Sequence, residues 1–165
     1  MVQYKLTYFD GRGAAEVARQ VFVLAGQNFT DVRLTHEEWP KHKAEMPFGQ
    51  MPVLEVDGKK LPQSHAIVRY LARQFGFAGK SAWEEAQVDA IADQHKDFLN
   101  EVRPYFLVLM GMNKGDVDAM AKDVFEPARQ KFFTIITKIL KENKTEGYLV
   151  LFTMYTVSEV VTNNY

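Results

Sequence analysis

The residues best suited to ligand chemistry stand at separate places in the first half of the chain. Tyr8 ends an alternating stretch and precedes a glycine-containing turn. Its phenol can donate a hydrogen bond to an anion, or its ring can pack as a cross-strand aromatic. Trp39 and Lys43 stand four residues apart and share a face if their segment is helical. The indole would then act as a hydrophobic clamp, and the lysine as an anion contact or a solvated charge.

The third candidate is the stretch from Pro47 to Ser64, which predicts a loop, a strand, a hairpin turn at Asp57 and Gly58, a second strand and the start of a helix. We expect Ser64 to be the N-cap of that helix. A glycine-containing loop and a helix N-terminus both present unpaired backbone N–H groups, which suits a peptide-like anionic ligand. A hairpin and helix without a ligand fit the same residues, and Gln63 and Ser64 then serve only as caps.

The elements that would position these residues alternate between strand and helix in the first half of the chain. In chain order, the pattern predicts a strand over 3–9, a helix over 14–25 with Ala14 on its buried face, a strand over 29–34, an irregular or short helical segment over 35–45, the hairpin, and a helix from 64 to 75. Such an order is typical of the thioredoxin-like α/β class. We therefore predict a thioredoxin-like domain over residues 1–78.

After a short linker the pattern becomes entirely helical. Its signals, in chain order, are a capping box at Ser81 and Glu84, a kink or restart at Pro104, an N-cap at Asp116 and a bend at Pro127. The apolar stripe of the second long helix is narrow, which favours packing against one other helix. We therefore predict an all-helical domain over residues 81–165.

Composition excludes several kinds of function. The chain has 165 residues, a net charge of −1 and no cysteine, so thiol nucleophiles, disulfides and cysteine metal sites are excluded. The four histidines show no metal-ligand spacing, and we predict no metal. A near-neutral charge favours neither nucleic acid nor an anionic membrane as a partner. No apolar run approaches the ~20 residues of a bilayer span, and no signal peptide is evident, so the cytosol is the expected location.

Together, these motifs resemble the sigma-class glutathione S-transferases, and especially their nematode-like members. The resemblance extends from residue 1 to about 148, in order and in spacing. The motifs that carry it are Lys5-Leu6-Thr7-Tyr8-Phe9, Gly11-Arg12-Gly13-Ala14-Ala15-Glu16, Trp39, Pro47-Phe48-Gly49-Gln50-Met51-Pro52-Val53-Leu54-Glu55-Val56-Asp57-Gly58 and Gln63-Ser64.

The resemblance implies a glutathione transferase fold, in which a thioredoxin-like domain binds glutathione and a helical domain forms the wall of the second-substrate site. The residues that it assigns to glutathione are Tyr8 for the thiolate; Trp39, Lys43 and Gln50 for the glycine carboxylate end; the loop of Gly49, Met51 and a cis-linked Pro52 for the cysteinyl unit; Gln63 and Ser64 for the γ-glutamyl carboxylate; and Asp97 of a partner subunit for the γ-glutamyl amine.

The activity that the resemblance implies is conjugation of glutathione to hydrophobic electrophiles, or reduction of peroxides, by a homodimer that serves detoxification. The alternative is a relative with weak catalysis that binds glutathione or hydrophobic ligands, or a partial product without function. The first 75 residues favour the enzyme, and the last 15 favour the alternative.

The chain departs from the family pattern at several positions. Ala14 replaces an arginine that some members carry, which leaves Arg12 as the nearby positive charge. Lys96 and the Arg103-Pro104-Tyr105 run argue against metal activation and prostaglandin synthesis.

The last segment differs most from the family pattern. After Val150 the sequence no longer follows the family's capped central helix, so we expect a truncated or alternatively read product with incomplete C-terminal helices. The segment over 151–165 is β-prone and nearly uncharged, which makes it an aggregation hazard.

Overall fold

The computed structural model describes residues 2–142, and the chain divides into two compact units between residues 80 and 81. Within the described residues of the first unit, four strands form one mixed sheet in the order β2-β1-β3-β4. Their bounds are β1 Tyr4–Phe9, β2 Thr30–Leu34, β3 Val53–Val56 and β4 Lys59–Pro62. β1 runs parallel to β2 and antiparallel to β3, and β3 runs antiparallel to β4.

The predicted hairpin turn at Asp57 and Gly58 is confirmed. Val56 pairs with Lys59, so two residues connect the strands, and both have positive φ, 47° at Asp57 and 82° at Gly58. Turns of this kind match the right-handed twist of the flanking strands. The Asp57 carboxylate also accepts a hydrogen bond from the Gln3 N–H at 2.8 Å, which ties the turn to the residue before β1.

Two helices, α1 (Glu16–Leu24) and α3 (Ser64–Gln74), pack against each other. The Tyr4 ring lies 5.3 Å from that of Phe22 in α1 and 5.8 Å from that of Phe75 after α3, so both helices cover the same face of the sheet. The expectation that Ala14 is buried in a helix is wrong. A 3-10 turn over Gly13–Ala15 precedes α1, and it exposes Ala14 while it buries Ala15.

The second unit begins with α4 (Ala82–Leu109), whose predicted N-cap is confirmed by the Glu84 N–H, which donates to Ser81 Oγ at 3.2 Å. α4 does not restart at Pro104 but continues through it. Pro104 is exposed, while Val102 and Tyr105 beside it are buried. Burial of these two side chains stabilises the helix by about 1.5–3 kcal/mol each, which offsets the ~3 kcal/mol cost of an internal proline.

The Asp116 carboxylate caps the next helical segment, as predicted, because it accepts from the N–H groups of Asp118 and Ala119. That segment consists of α5 (Val117–Met120), a π-helical turn (Ala121–Phe125) and α6 (Glu126–Glu142). This π turn ends two residues before Pro127, where the sequence predicts a bend. Proline has no N–H, so the regular bonding pattern cannot continue through it.

Aromatic side chains join α4 to the π turn and α6. The Phe98 and Phe132 rings stack 4.7 Å apart, and the Tyr105 and Phe125 rings lie 5.0 Å apart. Within residues 2–142, the narrow stripe of α6 therefore packs against α4, as predicted. The helix end expected over 143–147 and the aggregation-prone tail over 151–165 lie outside the described residues.

Candidate active site

The pairing of the strands places the starts of several loops and helices at one end of the sheet. Phe9 at the carboxyl end of β1 pairs with Leu34 at the carboxyl end of β2. Thr7 pairs with Val53, the first residue of β3, and Val53 pairs with Pro62, the last residue of β4. Neighbouring strands lie about 4.8 Å apart, so the segments that leave or enter these strand ends are close together. We call this end of the sheet the sheet end.

Most of the predicted glutathione residues lie at or next to the sheet end. The residues that lie at one of these strand ends, or within a few residues of one, are Tyr8, Trp39, Met51, Pro52, Gln63 and Ser64. The sequence alone assigned them to separate elements, and the mixed sheet makes them neighbours.

The Tyr8 hydroxyl is oriented by the turn that follows β1. Its oxygen accepts a hydrogen bond from the Ala14 N–H at 3.2 Å, and within residues 2–142 it makes no other hydrogen bond. A Cβ added to Gly13 would lie 2.7 Å from the same oxygen, so glycine is what allows the backbone to approach the phenol. The hydroxyl hydrogen therefore remains able to donate to a ligand.

Trp39 is held beside the strand ends by an aromatic contact and a capped helix. Its ring meets the Phe9 ring edge-on at 5.8 Å. It begins α2 (Trp39–His42), which is followed by a 3-10 turn over Lys43–Glu45. The Lys43 N–H donates to the Trp39 carbonyl oxygen, so the two residues lie one helical turn apart and share a face, as predicted.

A capping box fixes the entry to α2. The Glu38 carboxylate accepts from both the N–H and the hydroxyl of Thr35 at 2.9 Å, and the Glu38 N–H donates to Thr35 Oγ1 at 3.2 Å. The backbone bond from Thr35, and then its hydroxyl, favour the ionised carboxylate and lower the pKa of Glu38 below its ordinary value. The box, which the sequence reading missed, determines where Trp39 begins its helix.

The loop before β3 passes close to Lys43. The Gly49 N–H donates to the Met46 carbonyl oxygen at 3.0 Å, and the Lys43 stem runs beside Gly49, with its Cε 3.7 Å from the place of a Cβ there. Gln50 is exposed next to this contact. The Met51–Pro52 peptide bond is cis, as the resemblance implied.

The expectation that Ser64 caps α3 is wrong. Gln63 occupies the cap position with φ 75° and ψ 114°, and no side-chain bond closes the cap. Ser64 is the first residue inside the helix, because the Gln63 carbonyl oxygen already accepts the Ile67 N–H at 2.9 Å. The N-terminus of α3 therefore lies at the sheet end without a side-chain cap from Gln63, and the helix dipole there favours an anion.

Asp97 belongs to the second unit, where it is an exposed residue of α4. Its predicted role requires a second copy of the chain and stays a prediction.

The sequence reading also missed Arg19, which is 6% exposed and lies on the apolar side of α1. Its Nε lies 3.2 Å from both carboxylate oxygens of Asp31 in β2. A signal was present: Arg19 interrupts the buried stripe of Ala15, Ala18 and Phe22 at helical spacing. A charge in such a position requires a buried partner.

Two further observations limit the chemistry. Among residues 2–142, no three histidine, aspartate or glutamate side chains are grouped so that they could hold a metal ion. None of the helices in the described part of the chain combines the length and apolar character that crossing a membrane requires.

Comparison with known proteins identifies the family. Residues 4–73 match the family of the glutathione S-transferase N-terminal domain. Over 150 residues the chain is 61% identical to a probable glutathione S-transferase 7 of Caenorhabditis elegans, which covers 91% of this chain and 72% of that protein. The chain belongs to the glutathione S-transferase family.

Solved glutathione S-transferase structures share its fold. A structure described as a monomeric glutathione S-transferase from the hookworm Necator americanus is 56% identical and has a TM-score of 0.91; the match covers 98% of this chain and 82% of that one. A structure described as a Nu-class transferase from Haemonchus contortus is 83% identical and has a TM-score of 0.79; it covers 88% of this chain and 71% of that one.

These comparisons confirm two predictions from the sequence. The fold class is that of the glutathione S-transferases, a thioredoxin-like α/β unit followed by a helical unit. The chain is also a member of an enzyme family, as the motifs around Tyr8 and the loop before β3 indicated.

Proposed function

We propose that this protein is a glutathione transferase that activates the glutathione thiol through the Tyr8 hydroxyl. The observation that carries the proposal is the single hydrogen bond that Tyr8 accepts from the Ala14 N–H. This bond leaves the phenol free to donate at the sheet end. The resulting thiolate attacks an electrophilic carbon of a hydrophobic second substrate, or a peroxide oxygen.

The sheet end offers complementary groups for the whole length of glutathione. Lys43 and Trp39, with Gln50 nearby, bind the glycine carboxylate end. The loop of Gly49, Met51 and Pro52 lies against the cysteinyl unit, and its backbone pairs with the peptide. Gln63 and Ser64, at the N-terminus of α3, bind the γ-glutamyl carboxylate. The register that brings these segments together supports this placement.

Tyr8 can supply the free energy that activation requires. A free thiol titrates near ~8.5 and is only a few per cent ionised at neutral pH. Half ionisation at pH 7 requires a shift of ~1.5 units, or about 2 kcal/mol. A hydrogen bond to a charged acceptor contributes ~1.5–3 kcal/mol. One well-placed phenol is therefore sufficient, and no protein nucleophile is needed, which agrees with the absence of cysteine.

Replacement of the phenol hydroxyl tests the proposal. We expect Tyr8→Phe to lose most of the conjugation rate with a model electrophile while the protein is still retained on immobilised glutathione. Tyr4→Phe is the matched control, since it removes a hydroxyl from the same strand at a buried ring. Wild-type turnover in Tyr8→Phe would exclude the role of Tyr8. A wild-type protein that is retained but does not turn over would favour the alternative, a binding protein.

Two finer features belong to the same proposal. A homodimer would let Asp97 of one subunit reach the γ-glutamyl amine bound by the other, although the Necator americanus relative is described as monomeric. The sigma-class resemblance has weaker support, because the Haemonchus contortus relative is described as Nu-class.

A further inference from the structure

Arg19 joins the sheet to the turn that orients Tyr8. From α1, its Nη1 donates to the carbonyl oxygen of Gly11 at 2.7 Å and approaches that of Arg12 at 3.3 Å. Its Nε bonds both oxygens of Asp31, and Nη1 also lies 3.1 Å from a carboxylate oxygen of Glu16. One buried guanidinium thus binds two carbonyl groups of the turn and two carboxylates outside it.

The turn held by Arg19 leads directly to the Tyr8 hydroxyl. Gly13 follows the two bound carbonyl groups and approaches the phenol closely, and the next N–H, that of Ala14, donates to Tyr8 Oη at 3.2 Å. A bond donated to a hydroxyl oxygen polarises the hydroxyl and strengthens the bond that the hydroxyl itself donates. The position of the turn therefore affects how well Tyr8 stabilises an anion.

Stability alone does not account for an arginine at position 19. Its Nη2 is buried and has no hydrogen-bond partner among the described residues, and an unsatisfied buried donor is unfavourable. Arg33 shows the contrast. It bonds the same Asp31, and also Asp10, from an exposed position, and within residues 2–142 it donates to no carbonyl group of the turn.

We propose that Arg19 is a positioning residue for the glutathione thiol: it holds the carbonyl groups of residues 11 and 12 so that the Ala14 N–H stays on the Tyr8 hydroxyl. This inference depends on the proposed function, in which Tyr8 donates to the thiolate. Lysine at position 19 keeps the charge but has only one nitrogen, which cannot bind Asp31 and both carbonyl groups together.

The experiment is a double-mutant cycle in the full 165-residue chain. It compares wild type, Arg19→Lys, Tyr8→Phe and the double variant. The readouts are the apparent pKa of bound glutathione, followed through the ultraviolet absorbance of the thiolate, and kcat and KM for glutathione. We expect Arg19→Lys to raise the thiol pKa by about one unit, since the shift follows from weakening one charge-assisted bond. kcat/KM at neutral pH should fall roughly fivefold, because the thiol would then be about a tenth ionised and no longer half ionised, mainly through kcat.

The cycle separates positioning from a merely structural role. If Arg19 acts through Tyr8, Arg19→Lys should change the thiol pKa little further when Tyr8 is already replaced by Phe. The proposal is overturned if Arg19→Lys raises the thiol pKa equally with and without the Tyr8 hydroxyl, or if folded Arg19→Lys has the wild-type thiol pKa. If Tyr8→Phe itself leaves the thiol pKa unchanged, the thiolate role of Tyr8 in the proposed function fails instead.

Two further variants keep the test decisive. Arg33→Lys makes the same chemical change on a residue that shares Asp31 but contacts the turn only at the Asp10 side chain and not at the carbonyl groups of residues 11 and 12. It should leave the thiol pKa at the wild-type value. Should Arg19→Lys fail to fold, Asp31→Asn weakens the support of Arg19 without removing it. Asp31→Asn should then show a smaller shift in the same direction, and a folded Asp31→Asn with the wild-type titration contradicts the proposal.

Discussion

The Tyr8 hydroxyl is oriented by a backbone group and not by another side chain. The Ala14 N–H occupies one acceptor position of the oxygen, so the direction of the phenol follows the path of the chain through residues 10–13. Small changes in that turn should therefore alter catalysis without any change in the residues that contact glutathione.

Gly13 allows a direct test at this scale. In Gly13→Ala the new Cβ would lie 2.7 Å from Tyr8 Oη, at a backbone φ of 44° that disfavours alanine. We expect a loss of stability of about 1–2 kcal/mol from the backbone. We also expect a roughly ten- to hundredfold decrease in kcat/KM, because the displaced phenol loses a bond of ~1.5–3 kcal/mol to the thiolate. Thermal unfolding and steady-state kinetics measure the two effects separately.

Gly11→Ala is the matched control for Gly13→Ala. It lies in the same turn, but a Cβ at Gly11 meets nothing within 4 Å. It should leave kcat/KM close to the wild-type value. Equal losses in the two variants would mean that the turn tolerates no change at all, and would contradict a specific effect of Gly13 on Tyr8.

At the residue scale, the sequence predicts chemistry that depends on residue type and misses chemistry that depends on backbone angles. Tyr8 could be chosen because a strand end followed by glycine is visible in the sequence. The Ser64 cap was placed one residue too late, because nothing in the residue type of Gln63 announces a positive φ.

At the scale of elements, α2 depends on its capping box more than on packing. It has four residues, none of them buried, and so short a helix has little intrinsic stability. The reciprocal bonds between Thr35 and Glu38 therefore fix the element that presents Trp39 and Lys43.

The lowered pKa of Glu38 makes the box dependent on pH. A carboxylate whose folded-state pKa lies below its unfolded value stabilises the fold fully above that unfolded value, ~4.3, and loses this contribution as the pH falls through the folded value. We expect Glu38→Gln to lower the Tm at neutral pH and to raise KM for glutathione. The difference in Tm from wild type should shrink as the pH falls below ~4.

Glu37→Gln is the control for this pH dependence, since it removes the same charge from an exposed neighbour. Its Tm should follow that of wild type across the pH range. A Glu38→Gln difference that stays constant down to low pH would show that the carboxylate form of the box is not what stabilises α2.

Helices whose apolar residues recur at regular spacing were predicted well from the sequence. The behaviour of these helices at their prolines was not. The stripe in the second half correctly indicated one helix packed on another, because Phe98 and Phe132 follow helical spacing. The form of the break before Pro127 is a π turn, and the unbroken course of α4 through Pro104 depends on burial of Val102 and Tyr105. The course of α4 depends on tertiary contacts that are not local in sequence.

At the scale of the whole molecule, the predicted glutathione residues are divided between the two units. All lie in the first unit except Asp97. In the proposed site, one chain therefore binds the thiol, the glycine end and the γ-glutamyl carboxylate of glutathione, and the proposed contact with the amine requires a second copy. Affinity for glutathione should accordingly depend on protein concentration.

Asp97→Asn tests the assembly. In a dimer we expect KM for glutathione to rise roughly ten- to hundredfold, because a charge-assisted bond of ~1.5–3 kcal/mol is lost, while kcat changes little. Light scattering should give twice the chain mass of 18.9 kDa. Asp123→Asn, an exposed acid of the π turn, is the control and should leave KM unchanged. A monomer with wild-type affinity for glutathione would remove Asp97 from the site.

The conformation of Gln63 has a consequence for how this sequence can vary. A backbone at φ 75° and ψ 114° is one that glycine adopts at little cost and that other residues adopt only under a strain of about 1–3 kcal/mol. Selection for thermodynamic stability alone would therefore favour glycine over glutamine at this position. The stability of a whole protein is only ~5–15 kcal/mol, so a strained glutamine at position 63 agrees with its proposed role in binding the γ-glutamyl carboxylate. In that role, folding and ligand recognition would favour different residues at this position.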